Sequence, residues 1–221
     1  MAQYTLVIGN KNYSSWSLRA WLAMKHADIA FDEVRVPLFE DGFKTTIEKY
    51  SPAGKVPVLV AGNTMIWESL AICEFLAEQH PQARLWPADS GARAHARAIC
   101  AEIHAGFSAL RNAMPMNIRS SHPGKGMTPE SERDIGRIIA MWTQCRKNYG
   151  SRGELLFGRF TVADAFYAPV VSRFQTYAVK LPPVARAYAD AVLQLPAMQE
   201  WMTAARQETE FVAEDEPYAT R

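Results

Sequence analysis

Along the first 80 residues, short apolar runs alternate with amphipathic stretches. Strands of four to six residues and helices of period 3.6 account for this pattern. In chain order it predicts a strand at 4–8, a helix at 15–26, a strand at 31–36, a short helix at 45–50, a hairpin of strands at 58–61 and 64–66, and a helix at 69–79. The order β-α-β followed by β-β-α is typical of a small mixed sheet with helices packed on it.

The pattern changes after residue 90, where strand signals disappear. Apolar residues recur at steps of four and three along one face of a predicted long helix, which would carry Ile99, Ile103, Phe107, Leu110 and Met114. Further helices are predicted around 135–145, from 161 onward, at 184–195 and at 196–206. The stretch 80–89 has two prolines and no period, which indicates a linker.

These patterns together predict an α/β domain at residues 1–81, a linker at 82–90 and an all-helical domain at 91–221. Ser90 is a candidate cap for the first helix of the second domain. Thr161 and Asp164 have the spacing of a capping box, to which we assign a folding role. The polar tail 214–221 would either fold over the site or remain loose.

Amino-acid composition and net charge reduce the number of functional classes to which the chain could belong. The chain has 221 residues, 48% of them hydrophobic, with 24 basic and 23 acidic side chains and a formal net charge of +1. This balance argues against nucleic acid or an anionic membrane as the main partner. No apolar run reaches the length of a membrane span, and no secretory signal is recognised. Three widely spaced cysteines, none in a Cys-x-x-Cys motif, favour a reducing, cytoplasmic setting.

Two predicted helix starts carry candidate chemistry. Ser14 and Ser15 precede the first helix, and Glu68 and Ser69 precede the third helix of the α/β domain. A helix N-terminus leaves backbone N–H groups unpaired and stabilises an anion placed there. Serine is also a common N-cap, and each pair taken alone is more often a cap than a ligand site.

Three segments in fixed order carry a family resemblance: Ser14-Ser15-Trp16-Ser17-Leu18-Arg19, Lys55-Val56-Pro57-Val58-Leu59 and Glu68-Ser69-Leu70-Ala71-Ile72. The chain resembles the cytosolic glutathione transferases over nearly its whole length. Its first segment, Ser-Ser-x-Ser-x-Arg, is most similar to the serine-type zeta and tau classes. The resemblance implies a thioredoxin-like N-terminal domain followed by an all-helical domain, a homodimer, and glutathione as co-substrate without a metal.

The resemblance also implies roles for individual residues. A cis bond would join Val56 to Pro57, and the Val56 backbone would pair with the cysteinyl part of glutathione. Glu68 and Ser69 would hold the γ-glutamyl end. Lys55 would lie near the glycyl carboxylate of the tripeptide.

Ser14 would be the residue that hydrogen-bonds the glutathione sulfur. A free thiol with a pKa of about 8.5 is mostly protonated at pH 7, and the thiolate is the nucleophile. A hydrogen bond to a charged group contributes about 1.5–3 kcal/mol, enough to lower the pKa by about one to two units. Ser15 is the alternative partner of the sulfur. Arg19 would either support the site electrostatically or be an exposed helix residue.

Two positions depart from the zeta-class pattern. In the zeta-class isomerases that act on maleylacetoacetate, this segment resembles Ser-Ser-Cys-Ser-Trp-Arg-Val-Arg. In this chain Trp16 replaces the cysteine of that pattern, and Trp21 replaces its second arginine. A dicarboxylate substrate favours cationic side chains, so the departure weakens the isomerase interpretation. Both tryptophans are candidates for the core or for an apolar pocket, as are Phe107, Met114 and Met116. The five histidines show no metal-ligand spacing.

Three functions follow as hypotheses. The first is a glutathione transferase that stabilises the thiolate at Ser14 and conjugates it to a small apolar electrophile. The second is a zeta-like, glutathione-dependent maleylacetoacetate isomerase. The third is a non-catalytic glutathione-binding or stress protein that keeps the fold and the peptide site.

Overall fold

The computed structural model describes residues 3–219. The first part contains β1 (Tyr4–Ile8), α1 (Ser15–His26), β2 (Phe31–Arg35), α2 (Phe43–Ile47), β3 (Val58–Ala61), β4 (Thr64–Trp67) and α3 (Ser69–Gln79). The second part contains α4 (Ser90–Ala105), α5 (Ser108–Ala113), α6 (Pro129–Tyr149), α7 (Val162–Thr176), α8 (Pro183–Leu193) and α9 (Pro196–Gln207). Short 3₁₀ turns lie at Pro81–Ala83, Gly150–Arg152 and Ala213–Asp215.

The four strands form one sheet in the order β2-β1-β3-β4. β1 runs parallel to β2 and antiparallel to β3, and β3 pairs antiparallel with β4. Side chains alternate between the two faces of a strand, so Leu6 and Leu59 join the main core, whereas Val7 and Val58 join a smaller cluster with Ile47 of α2. This confirms the predicted thioredoxin-like domain of mixed sheet and helices.

The helical domain is built around α7, in which every residue except Gln175 is buried. α7 packs against α4 and α8 of its own domain and against α1 of the other. Buried residues of both domains therefore belong to one continuous core. The predicted combination of an α/β domain and an all-helical domain is confirmed, and the shared core fixes the start of α1 relative to the helices opposite it.

The capping box at the start of α7 has the predicted structural role. Asp164 accepts the Thr161 backbone N–H at 2.8 Å and the Leu156 N–H at 3.1 Å, and Thr161 Oγ1 donates to the same carboxylate at 3.1 Å. Burial raises the pKa of Asp164 to about 6, which these hydrogen bonds oppose.

Replacing Thr161 with alanine removes one hydrogen bond to Asp164 and leaves the two backbone donors. We expect the free energy of unfolding to fall by about 1 kcal/mol, as for other N-cap substitutions, with glutathione-dependent activity changed less than about twofold. Chemical denaturation at pH 7 measures the first quantity and a steady-state assay the second. A matched control is Thr128→Ala, since Thr128 Oγ1 caps α6 by accepting the Ser131 N–H at 3.1 Å.

The predicted long helix of the second domain is wrong, because the structure divides it into α4 and α5. Phe107 between them has a φ of +57°, in the left-handed region. A Cβ at Gly106 would lie 2.8 Å from the Glu102 carbonyl oxygen, so the helix ends where glycine permits this close approach. The apolar residues Ile99, Ile103, Phe107, Leu110 and Met114 remain buried across the break.

Smaller differences concern caps and limits. Asp89, rather than Ser90, caps α4 by accepting the Ala92 N–H at 2.8 Å. The short helix expected at 45–50 lies at Phe43–Ile47. The domain limits 1–81, 82–90 and 91–221 stay predictions, and residues 1–2 and 220–221 lie outside the described range. No helix within residues 3–219 is long and apolar enough to cross a membrane.

Candidate active site

A cavity of about 730 Å³ lies between the two domains. The six residues singled out from the sequence all line it: Ser14, Ser15, Lys55, Val56, Glu68 and Ser69. They come from the β1–α1 junction, the segment before β3 and the start of α3. The sheet brings these junctions to the same side of the α/β domain, and the helices α4, α5 and α7 supply the opposite wall.

Ser14 is the N-cap of α1 and is 5% exposed. Its Oγ lies 2.7 Å from Ser17 Oγ, and Ser17 Oγ accepts the Gly9 backbone N–H at 3.1 Å. When Ser17 donates its proton to Ser14, the Ser14 proton is left to bond a group in the cavity. The motif thus contains a short relay of hydroxyl groups, with Ser17 as a supporting residue that the sequence reasoning did not single out.

Ser15 opens α1 and lies beside a cation. Arg173 of α7 donates to Ser15 Oγ at 3.3 Å, and it also donates to the Met114 carbonyl oxygen at 2.8 Å. Ser15 therefore keeps its own proton for a second acceptor. Both serines remain candidates for the sulfur partner, and they differ in that only Ser14 has a second hydroxyl behind it.

Tyr13 also lines the cavity, but its hydroxyl is already engaged. It donates to Glu216 at 2.7 Å and accepts from Arg119 at 2.5 Å. Burial, followed by the hydrogen bond to Glu216, raises the pKa of Tyr13 to about 12. The phenol is therefore protonated at neutral pH and is oriented away from a role as a sulfur ligand.

The start of α3 is shaped to receive charged groups. Glu68 has a φ of +67°, which is uncommon for a residue other than glycine and clusters at functional sites. The Ser69 hydroxyl is fully buried and has no hydrogen-bond partner among the described residues. A carboxylate at this helix N-terminus would accept that hydroxyl and the free N–H groups, and Glu68 would take an ammonium group.

The bond between Val56 and Pro57 is cis, as the resemblance implied. Val56 and Pro57 line the cavity directly before β3. The Lys55 side chain is exposed at the cavity rim, and its backbone N–H bonds Ser51 Oγ at 3.4 Å. The segment thus presents backbone and one cation to a ligand that lies along the cavity.

Sequence reasoning missed the opposite wall. His104 of α4, Arg111 of α5 and Arg173 of α7 also line the cavity. His104 Nε2 lies 3.3 Å from Glu68 and so links the two domains. Burial lowers the pKa of His104, Arg111 and Arg173, the last to about 10. No local spacing marks these residues, because they come from three separate helices.

Of the two roles expected for Arg19, that of an exposed residue on a helix surface is wrong. Arg19 is 3% exposed because α1 is covered by α7, and its Nε and Nη1 atoms have no partner among the described residues. Burial, then Arg173 and Arg111, lowers its pKa to about 9. The guanidinium groups of Arg19 and Arg111 lie 4.1 and 4.8 Å from the centre of the Trp16 ring.

Trp16 and Trp21 therefore lie in different environments, one at the cavity and the other in the core. Trp16 lines the cavity, with its ring edge-on to His104 at 5.0 Å between centroids. Trp21 is 1% exposed in the core and donates to Glu33 at 2.7 Å. Phe107, Met114 and Met116 are core residues and do not line the cavity. Within residues 3–219, no group of three or more His, Cys, Asp or Glu side chains is arranged to hold a metal ion.

The electrostatics of the cavity favour an anion on the helical side. Arg111 and Arg173 face the cavity, with Arg19 behind Trp16. The acidic lining residues are Glu68, on the α/β side, and Asp215, whose pKa burial raises to about 6 against the effect of Arg173. Asp215 offsets part of the positive charge of Arg173, and an anionic ligand would give Arg111 and Arg173 a further ionic partner.

Comparison with known proteins agrees with this geometry. Residues 13–79 match the family model described as glutathione S-transferase, N-terminal domain, and residues 93–204 match the one described as glutathione S-transferase, C-terminal domain. A protein of Caenorhabditis elegans named probable maleylacetoacetate isomerase is 41% identical over 170 residues, which cover 76% of this chain and 78% of the relative.

Solved structures share the fold. A glutathione transferase homolog from Burkholderia strain BGR1, crystallised with bound glutathione, superimposes with a TM-score of 0.71 at 22% identity, covering 93% of this chain and 99% of that one. A bacterial maleyl pyruvate isomerase of the zeta class gives a TM-score of 0.70 at 23% identity, covering 93% and 100%.

Proposed function

The chain belongs to the glutathione S-transferase family, with glutathione as its co-substrate, and we propose that it adds the glutathione thiolate to a small electrophile that carries a carboxylate. Ser14 stabilises the thiolate, and the arginines of the helical wall hold the acidic substrate. Reversible addition of this kind makes the chain a glutathione-dependent isomerase of the zeta type. The observation that carries the proposal is that Arg111 and Arg173 of the helical domain line the same cavity as Ser14.

Glutathione binds along the α/β side in this scheme. Its γ-glutamyl carboxylate lies at the N-terminus of α3 with the Ser69 hydroxyl, and its ammonium group lies at Glu68. The Val56 backbone pairs with the cysteinyl part, and Lys55 lies near the glycyl carboxylate. The unpartnered Ser69 hydroxyl and the positive φ of Glu68 support this placement.

The chemistry follows from the two walls. The thiolate adds to an electron-poor carbon–carbon double bond, forming a C–S bond while the displaced electron pair moves onto the conjugated carbonyl group of the substrate. Arginine near that carbonyl stabilises the negative charge as it develops. The former double bond is then single and rotates, and expulsion of the thiolate restores it with the opposite geometry and regenerates glutathione.

Names of relatives also support an isomerase, since the Caenorhabditis elegans protein and a 28% identical rat protein are named maleylacetoacetate isomerases. The missing second arginine at Trp21 argued against this function in the sequence. Arg111 and Arg173 supply cations to the cavity from the other domain.

A second candidate function is conjugation to an apolar electrophile, the first hypothesis from the sequence. Phe39, Phe43 and Trp67 line the cavity on the α/β side, and Phe39 is 66% exposed. These side chains favour an apolar ligand at the cavity mouth. Arg111 and Arg173 place charge deeper on the opposite wall, so we rank the acidic substrate first.

The test is a comparison of two assays on the purified protein. Maleylacetone with a trace of glutathione reports isomerisation by loss of the cis substrate, and a panel of neutral electrophiles reports conjugation by consumption of glutathione. Isomerisation without net loss of glutathione supports the proposal. Turnover of neutral electrophiles alone selects conjugation, and tight glutathione binding with no turnover selects the non-catalytic hypothesis.

The relay behind Ser14 makes a separate prediction. Ser17→Ala removes the hydroxyl that lies 2.7 Å from Ser14 Oγ but leaves Ser14 in place. We expect kcat to fall about three- to tenfold, since one supporting neutral hydrogen bond contributes about 1 kcal/mol. The affinity for glutathione should stay within about twofold, as measured by titration calorimetry. Unchanged kcat would show that Ser14 acts without the relay.

We also propose a cytoplasmic homodimer, as the resemblance implied. Met65 is exposed on β4, which lies at one edge of the sheet, and an edge strand that no other element covers is suited to pairing with another chain. The three cysteines, Cys73, Cys100 and Cys145, are free and buried, which fits a reducing setting. Sedimentation equilibrium of the purified protein tests the dimer.

A further inference from the structure

The segment after α9, residues 208–219, crosses the loop that joins β1 to α1. We call it the C-terminal strap. Its last described part includes Asp215, which lines the cavity, and Tyr218, whose hydroxyl donates to the Ala113 carbonyl at 2.8 Å. Of the two expectations for the tail, folding over the site is therefore the one that the structure shows for residues 214–219.

Glu208, at the start of the strap, binds the loop through its backbone. Its Oε1 accepts the Lys11 N–H at 2.8 Å, and its Oε2 accepts the Asn12 N–H at 2.9 Å. The carboxylate is 10% exposed and lies 3.4 Å from Arg35. One planar group thus fixes two consecutive peptide N–H groups, which end two residues before Ser14.

Other distant residues hold further polar groups of this loop. Trp201 of α9 donates to the Lys11 carbonyl at 2.9 Å, and Asn12 donates through Nδ2 to Asn117 at 3.0 Å. The Ser14 backbone N–H bonds the Asn10 carbonyl at 2.8 Å. The loop has no regular secondary structure between β1 and α1 apart from a turn, so these contacts determine its path.

We propose that Glu208 is a positioning residue that, by holding the backbone of Lys11 and Asn12, aims the Ser14 hydroxyl at the glutathione sulfur. The inference rests on the proposed function, because it assigns Ser14 the thiolate. Hydrogen bonds weaken steeply as donor angles and distances depart from the ideal. A site held about 1 Å too loosely loses much of its effect, so release of the loop reduces thiolate stabilisation without removing any group that touches glutathione.

The experiment measures the thiol pKa of bound glutathione by ultraviolet absorbance, together with kcat, in Glu208→Ala and Glu208→Gln. The matched control is Glu210→Ala, since the Glu210 carboxylate pairs with the same Arg35 at 2.6 Å and accepts the Thr209 N–H at 3.2 Å, whereas Tyr13 bonds the Glu210 backbone carbonyl, which alanine keeps. We expect Glu208→Ala to raise the pKa of the bound thiol by about half to one unit and to lower kcat about three- to tenfold. The control should match the parent protein in both.

Glu208→Gln keeps the shape and one acceptor oxygen, so an intermediate pKa is expected, and this variant decides the matter if the alanine variant does not fold. Lower thermal stability in both Glu208 variants with an unchanged pKa of the bound thiol would make Glu208 merely structural and overturn the inference. A parent protein whose bound thiol has the pKa of free glutathione would overturn the proposed role of Ser14 as well, so the two failures are distinguishable.

Discussion

Replacing Ser14 with alanine is expected to lower kcat about 10- to 150-fold and to raise the pKa of bound glutathione toward that of the free thiol. The reason is the loss of one hydrogen bond to a charged sulfur, which contributes about 1.5–3 kcal/mol, where about 1.4 kcal/mol corresponds to a factor of ten in rate. The exposed fraction of Ser14 is 5%, so water does not readily replace the hydroxyl. Ultraviolet titration of the thiolate and steady-state kinetics measure the two effects.

The matched control is Ser15→Ala, at the other hydroxyl of the pair. Ser15 accepts a hydrogen bond from Arg173 at 3.3 Å, so its loss removes a weak contact to a cation and leaves the relay between Ser14 and Ser17 intact. We expect kcat to change less than about threefold. The reverse order, with a large loss in Ser15→Ala and little in Ser14→Ala, would assign the thiolate to Ser15.

The difference between these two serines shows what the sequence could predict. The limits of α1, Ser15–His26, follow from local periodicity and from a serine cap, because both are properties of adjacent residues. Placement of Ser14 at the cap was predictable for the same reason. The hydrogen-bond partner of each hydroxyl was not predictable, since the partner of Ser15, Arg173, lies 158 residues further along the chain.

The burial of Arg19 is a second feature that could not be predicted from the sequence. A lone arginine in an amphipathic helix is usually exposed, but here the position faces α7, and no helical pattern reveals which face a second domain covers. The predicted long helix failed because periodicity continues through Gly106 and Phe107 while the backbone does not. Apolar spacing reports burial, and a break that preserves burial leaves that spacing unchanged.

The net charge of the chain does not reveal that arginines are concentrated near the cavity. A chain with 24 basic and 23 acidic side chains gives no indication of an anionic ligand. The fold separates the charges, with Arg19, Arg111 and Arg173 near one wall and many acidic residues paired elsewhere on the surface, such as Glu102 with Arg137 at 2.7 Å. The choice between an apolar and an acidic electrophile therefore depended on tertiary structure.

Replacing Arg111 with alanine tests that choice. Arg111 makes one long bond, 3.4 Å to the Gly106 carbonyl, and stacks on Trp16, so its removal orphans little of the protein. For a carboxylate substrate we expect kcat/KM to fall about 10- to 150-fold, from the loss of a charged hydrogen bond of about 1.5–3 kcal/mol. For a neutral electrophile the change should stay within about threefold. The two substrates are assayed in parallel at saturating glutathione.

Two further variants separate charge from geometry. Arg111→Lys keeps a cation but loses the planar pair of donors that fits a carboxylate, so it should recover only part of the activity on the acidic substrate. Arg137→Ala removes an exposed arginine of α6 whose partner is Glu102, and it should match the parent protein on both substrates. Equal losses on acidic and neutral substrates in Arg111→Ala would mean that the residue only supports Trp16. The cationic wall would then have no part in substrate choice, and conjugation to an apolar electrophile would become the better assignment.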